Sequence, residues 1–323
     1  MSRPGFPRRA LLVAPLVPLS APAVAQSWPS RQVRFVVPFT AGGSLDVVAR
    51  MISPRMQELI GQGAIIDNRP GGGTIIGTDA VAKLPADGYA ALLIANSFTI
   101  NATLIRNPPF DARREFTGVS FLAFNPHVLI AAPRLGVSTV AEVVAAAKSR
   151  HGLTYASSGT GTSLHLGGES FRAATGAPMT HVPYRGSPQA ITDVFNGQVD
   201  LMFANMADAI PAIRDGRVKA IAVADASRQP LLPETPTFDE VGVHGVVSNS
   251  WFGMVARSDV PAPILDKLHD TIAQILAEPE SIARLTQVGL TTRPMSRPAF
   301  NAFLVEEFER NGRIIRENGI TVD

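Results

Sequence analysis

Residues 32–60, QVRFVVPFTAGGSLDVVARMISPRMQELI, restrict the possible folds more than any other stretch of the chain. The apolar, β-branched run at 33–39 predicts a buried strand, and Leu45, Val48, Ile52, Met56 and Leu59 then recur at helical spacing. Between them, Thr40-Ala41-Gly42-Gly43-Ser44 leaves room for a tight turn only, with Ser44 or Asp46 placed to cap the helix. A strand that passes through glycines into a helix leaves backbone N–H groups unpaired at the helix start, where about half a positive charge collects. Such an end can hold a small anion without any charged side chain. Alternatively, the glycines only satisfy the sterics of a βα turn. Pro54 falls inside the predicted helix and cannot donate to the carbonyl of Arg50, which predicts a kink.

The unit recurs. A strand at 64–67 runs into Asn68-Arg69-Pro70-Gly71-Gly72-Gly73-Thr74 and a helix at 75–84, and a third strand at 89–95 is closed by Asn96-Ser97. Strands follow at 116–124 and 127–132, interrupted by Asn125-Pro126, and Thr139-Val140-Ala141-Glu142 reads as a capping box. A strand at 153–156 meets Ser157-Ser158-Gly159-Thr160-Gly161-Thr162, after which Leu164, Gly168 and Phe171 share one helical face. Short strands at 179–182, 201–204 and 219–224 alternate with helices at 188–195 and 207–214. A last strand at 250–256 precedes helices at 262–277, 279–288 and 298–318. Such alternation predicts parallel sheets with helices on both faces.

The first residues carry Arg3, Arg8 and Arg9, then the apolar run 10–24, then Ala23-Val24-Ala25 before Gln26. A basic region, a short apolar region and an A-x-A site predict an export signal at 1–25, too short and too proline-rich to remain as a membrane helix. Removing its three arginines from the 29 basic residues leaves 26 against 27 acidic, so the mature chain has no excess of positive charge for nucleic acid or anionic lipid. There is no cysteine, which excludes disulfides and thiolate chemistry.

Cofactor and catalytic patterns are weak. Gly159-Thr160-Gly161 and Gly71-Gly72-Gly73 lack the third glycine of a dinucleotide turn and the lysine of a P-loop. The six histidines form no metal-binding pair at helical spacing. Ser157 or Ser158 with His165 lacks the flanks of a nucleophile elbow, and Asp46, Asp193 and Asp200 occupy helix starts and turns. Tyr184-Arg185-Gly186 follows a strand, where Arg185 either flanks a carboxylate or is solvated. Trp251-Phe252 reads as core or as pocket wall.

Five segments together resemble the periplasmic solute receptors of tripartite tricarboxylate transporters, the Bug receptors. They are PFTAGGSLDVVAR (38–50), NRPGGGTIIGTDAVAKLPADGY (68–89), TYASSGTGTSLHL (154–166), VPYRGSPQAITDVFNGQVDLMF (182–203) and SWFGMVA (250–256). The resemblance implies an α/β protein of the type II periplasmic-binding fold: two doubly wound lobes joined by crossing strands, with a ligand cleft between them. It places one lobe at 26–126 and 248–323 and the other at 127–247. It implies a non-catalytic receptor for a small carboxylate, with no cofactor, acting as a monomer and delivering its ligand to the membrane permease of such a transporter. Ligand contacts carry over to Phe39, Ala41, Gly42, Gly43, Ser44, Asp46 and Asn96 on one side. On the other they carry over to Ser157, Ser158, Gly161, Thr162, His165, Tyr184, Gly186 and Asn205. The chain departs from the usual G-A-G-G at Gly71-Gly72-Gly73-Thr74, and Pro54 is unusual. Two other readings stay open: a hydrolase or lyase using Ser158, His165 and an aspartate, and a receptor that presents its ligand to a signalling partner.

Overall fold

Two β–α windings share one long strand in the computed structural model, which describes residues 28–317 apart from Val247. The predicted export signal lies outside these residues. The first winding runs β1 (Val33–Val37), α1 (Ser44–Ile60), β2 (Ala64–Asn68), α2 (Ile75–Ala82), β3 (Ala90–Ala95) and α3 (Ser97–Leu104). Then β4 (Phe116–Ala131) leads to the second: α4 (Val140–Ser149), β5 (Leu153–Ser157), α5 (Ser163–Thr175), β6 (Met179–Pro183), α6 (Ser187–Phe195), β7 (Leu201–Asn205), α7 (Met206–Arg214) and β8 (Lys219–Val223). The chain returns to the first lobe through β9 (Asn249–Arg257), followed by α8 (Ala262–Ala277), α9 (Pro279–Gln287) and α10 (Arg297–Glu317).

Strand pairing explains the two lobes. β1 pairs in parallel with β2 and β3, β3 is antiparallel to β9, and β9 is antiparallel to β4. In the other lobe β5 pairs in parallel with β6 and β7, while β7 and β8 are antiparallel to β4. β4 therefore belongs to both sheets. The expected break at Asn125-Pro126 does not occur, because its one missing donor falls where the strand changes partners. Pro126 stands opposite Asn249 at the end of the β9 pairing, and His127 opposite Asn205 begins the β7 pairing.

Each sheet is covered on both faces. In the first lobe, α1 and α8 bury Val48, Ile52, Leu268 and Ile272 on one side, while α10 lays Phe300, Leu304 and Phe308 on the other. In the second, α6 and α7 cover one face with Ala190, Val194 and Ile210, and α4 and α5 cover the opposite face with Val143 and Phe171. The predicted capping box closes α4: the Glu142 N–H donates to Thr139 Oγ1 at 3.2 Å, and the Thr139 N–H donates to the Glu142 carboxylate at 3.1 Å.

Two local expectations are altered. Asn96-Ser97 does more than close β3, because it opens α3. The N-cap of α1 is Gly43 with no side-chain cap, and Asp46 instead folds back to accept the Gly42 N–H at 2.9 Å. Pro54 lies inside α1, which runs from Ser44 to Ile60.

Candidate functional site

Parallel strands deliver their helices from one edge, and that geometry builds the site. α1, α3, α5, α6 and α7 begin directly after the C-terminal ends of β1, β3, β5, β6 and β7. All five starts meet at a cavity of about 30 Å³ between the lobes. Its wall includes Gly43, Ser44 and Asp46 from the start of α1, Ser97 from α3, and Ser158, Thr162 and Ser163 from α5. Ser187 comes from α6, and Asn205 and Asp208 come from the β7–α7 junction. Phe39, Thr40, Leu45, Ala95, Ser250 and Phe252 complete it. No lysine, arginine or histidine lines it among the described residues. The positive character of the wall is thus that of backbone N–H groups and helix starts.

Hydrogen bonds hold these elements together across the cleft. The Ser44 N–H donates to Asp208 Oδ1 at 2.6 Å, and Ser44 Oγ accepts from Asn125 Nδ2 at 3.2 Å and Asn205 Nδ2 at 3.4 Å. Ser163 Oγ lies 2.9 Å from Ser250 Oγ, which lies 2.8 Å from His127 Nε2, and His127 Nδ1 lies 2.9 Å from Ser248 Oγ. This buried chain joins α5 to β9 and to the crossing strand β4. Complete burial pushes the His127 imidazole down to about 3, so it is neutral at physiological pH. Asp46 is differently placed. Burial opposes its charge, but the Arg50 guanidinium at 2.8 Å, the Gly42 N–H and the Asn68 amide hold the carboxyl below its usual value.

Of the residues singled out from the sequence, Phe39, Gly43, Ser44, Asp46, Ser158, Thr162 and Asn205 come together on this wall. The other candidate ligand contacts do not line this cavity. Asn96 ties β3 to β9, donating to the Asn249 carbonyl and accepting the Trp251 N–H. Ser157 is fully buried, 2.7 Å from His181 Nε2. His165 stacks on His181 with ring centroids 4.1 Å apart, and the Gly161 N–H points to His165 Nδ1. Tyr184 donates its hydroxyl to Asp193 at 2.7 Å, and Arg185 is exposed. Gly42 donates to Asp46, while Ala41 is exposed on the turn. Gly186 packs against Thr40 of the facing lobe. Asp200 is bound to Arg134 and to the Thr154 N–H. Trp251 is core, with its indole N–H on Glu307, while Phe252 is both core and cavity wall.

Ser97, Ser163, Ser187, Asp208 and Ser250 line the cavity without having been picked out from the sequence. Ser163 and Ser187 had a signal available, since each follows a strand and a glycine-containing turn at a helix start. Asp208 and Ser250 had none, because only the meeting of the lobes brings them to the wall.

Two doubly wound α/β lobes joined by crossing strands, with helix starts converging between them, define a periplasmic-binding-protein fold of type II. The chain belongs to the tripartite tricarboxylate transporter receptors: residues 48–320 match the family model described as "Tripartite tricarboxylate transporter family receptor". It is similar to the protein BugT of Bordetella pertussis, at 31% identity over 93% of this chain and 93% of that one. It is also similar in structure to Rpa4515 of R. palustris with adipate, at 34% identity and a TM-score of 0.87 over 91% of this chain and 99% of that one. MatC from Rhodopseudomonas palustris with bound malate has 29% identity and a TM-score of 0.85, over 89% of this chain and the whole (100%) of that one. The family is thus one of periplasmic binding proteins. No helix among the described residues is long and apolar enough to cross a membrane.

Proposed function

We propose that this chain captures a small carboxylate in the cavity between lobes 26–126/248–323 and 127–247, and hands it unchanged to the membrane permease of a tripartite tricarboxylate transporter. The observation that carries this reading is the meeting of five helix starts at a cavity with no cationic side chain on its wall among the described residues. Micromolar affinity corresponds to about −8 kcal/mol. A charge-assisted hydrogen bond nets about 1.5–3 kcal/mol, so several acting together offset the cost of association where a single helix end would not. Ser97 from one lobe and Ser158 from the other bring hydroxyl donors to the wall. The adipate and malate held by two similar proteins favour the same ligand class. The export signal read at 1–25 agrees with a periplasmic receptor.

Binding without turnover agrees with the side-chain geometry. Ser158 is on the wall, but His165 is stacked on His181 and does not line the cavity. Ser157 does meet a histidine, yet both its contacts, Gly159 and His181, lie off the cavity wall.

A thermal-shift screen of mono-, di- and tricarboxylates tests the proposal. A true ligand at a hundredfold excess over its Kd adds about 2.7 kcal/mol of apparent stability, a clear rise in melting temperature. If no carboxylate raises it, or if the bound carboxylate is converted, the proposal fails.

A further inference from the structure

One acid on the cavity wall has no cation beside it. Asp208 stands in the first turn of α7 and reaches the start of α1 in the facing lobe, where Oδ1 accepts the Ser44 N–H at 2.6 Å. Its Oδ2 accepts from Asn205 Nδ2 at 3.2 Å. Asp208 forms no ion pair among the described residues, whereas Asp46, the other acid on the wall, is paired with Arg50. Burial pushes the Asp208 carboxyl up from its ordinary value, against the hydrogen bonds of Ser187, Asn205 and Ser44. Burial thus disfavours the charged form of this carboxyl, and a cation entering the cavity would favour it and offset its desolvation.

Three further groups on the same wall are unsatisfied. Asn205 Oδ1, Ser97 Oγ and Thr40 Oγ1 are buried with no hydrogen-bond partner, and Asn205 and Ser97 are only 8% and 2% exposed. All three residues line the cavity. With its amide nitrogen turned to Asp208, Asn205 presents an oxygen that can only accept. An unpaired buried acceptor is costly and calls for a donor from whatever fills the space. The wall therefore offers donors from helix starts and, beside them, two acceptors: the Asp208 carboxylate and the Asn205 carbonyl.

We infer that Asp208 and Asn205 select the charge of the ligand, so that the site takes a small carboxylate carrying its own ammonium group, a zwitterionic amino acid, in preference to a dianion. The inference rests on the carboxylate reading of the cavity and narrows it. The ligand carboxylate sits on the helix starts and its ammonium donates to Asp208 and Asn205, satisfying both. A second carboxylate in the same place would stand against Asp208 with no cation between them.

Calorimetry with butyrate, 2-aminobutyrate and succinate, matched in length, separates the charge states. The wild-type protein is expected to bind 2-aminobutyrate about tenfold or more tighter than butyrate, and succinate weakest, because charge-assisted bonds to Asp208 are present only in the first. Asp208→Asn is expected to remove the preference for the ammonium and to tighten succinate by about tenfold, as like-charge repulsion is lifted. Asp208→Ser is the second variant, and the melting temperature of each establishes that it is folded. A wild-type protein that prefers succinate, or a folded variant that changes all three affinities equally, overturns the selection role and leaves the carboxylate site standing. Failure of every carboxylate and amino acid to bind the wild-type protein overturns both.

Discussion

His127 sits where β4 leaves one sheet for the other, with both ring nitrogens on serine hydroxyls and no exposure to solvent. Its pKa falls from the ordinary 6.5 to about 3, so between these values the unfolded chain binds a proton that the folded chain does not. Stability is therefore full above pH 6.5 and declines by about 1.4 kcal/mol per pH unit as the pH falls. His181, pushed by burial to about 4, acts in the same direction, and the raised Asp208 carboxyl acts against it. His127→Gln keeps polar contacts without a titrating group. Urea unfolding between pH 6.5 and about 4 is expected to show a shallower loss of stability in the variant; identical slopes would mean that His127 accepts its proton in the folded state. None of this is visible in the sequence, where His127 is one of six unpaired histidines. Gly43, Ser44, Ser158 and Thr162, in contrast, are legible because their roles follow from turn chemistry within a few residues of chain.

At the level of elements, alternation of strand and helix is written locally and was readable almost throughout, since the buried strands are short, largely apolar runs and their helices repeat at helical spacing. α3 is the exception. Its residues are buried nearly all round, leaving no polar face to reveal a period. Gly168 shows how packing gives an element a precise seat. Although the periodicity of α5 marks it as inward-facing, only the structure shows that a side chain there would strike the ring of Tyr155. That ring is pinned by its hydroxyl, which donates to Glu169 at 2.6 Å, so it cannot swing aside. Gly168→Ala should cost about 1–3 kcal/mol in chemical denaturation, as other overpacking substitutions do. An unchanged denaturation midpoint would show that α5 can shift on its sheet, and with it the Thr162-Ser163 end that reaches the cavity.

For the molecule as a whole, the sequence predicts two windings but not how closely they meet, because the contacts join segments far apart in the chain. The Thr40 N–H reaches the Arg185 carbonyl at 3.4 Å, Gly161 lies against Asn101, and Gly73 lies against the Thr160 carbonyl. These contacts draw the two lobes together beside the cavity. A ligand can favour the closed form only by its greater affinity for it, which requires contacts that exist when both lobes engage. Gly186 is the place to test this. It lacks a side chain where a Cβ would strike Thr40 of the other lobe, and its extended backbone accepts alanine without strain. Gly186→Ala should fold normally yet be unable to close completely. Small-angle scattering of the ligand-saturated variant is then expected to give a larger radius of gyration than the wild-type protein, with affinity reduced about tenfold, or 1.4 kcal/mol. If both quantities match the wild type, Thr40 and Gly186 do not limit closure. Grip on the solute would then come from the helix starts without any tightening of this seam.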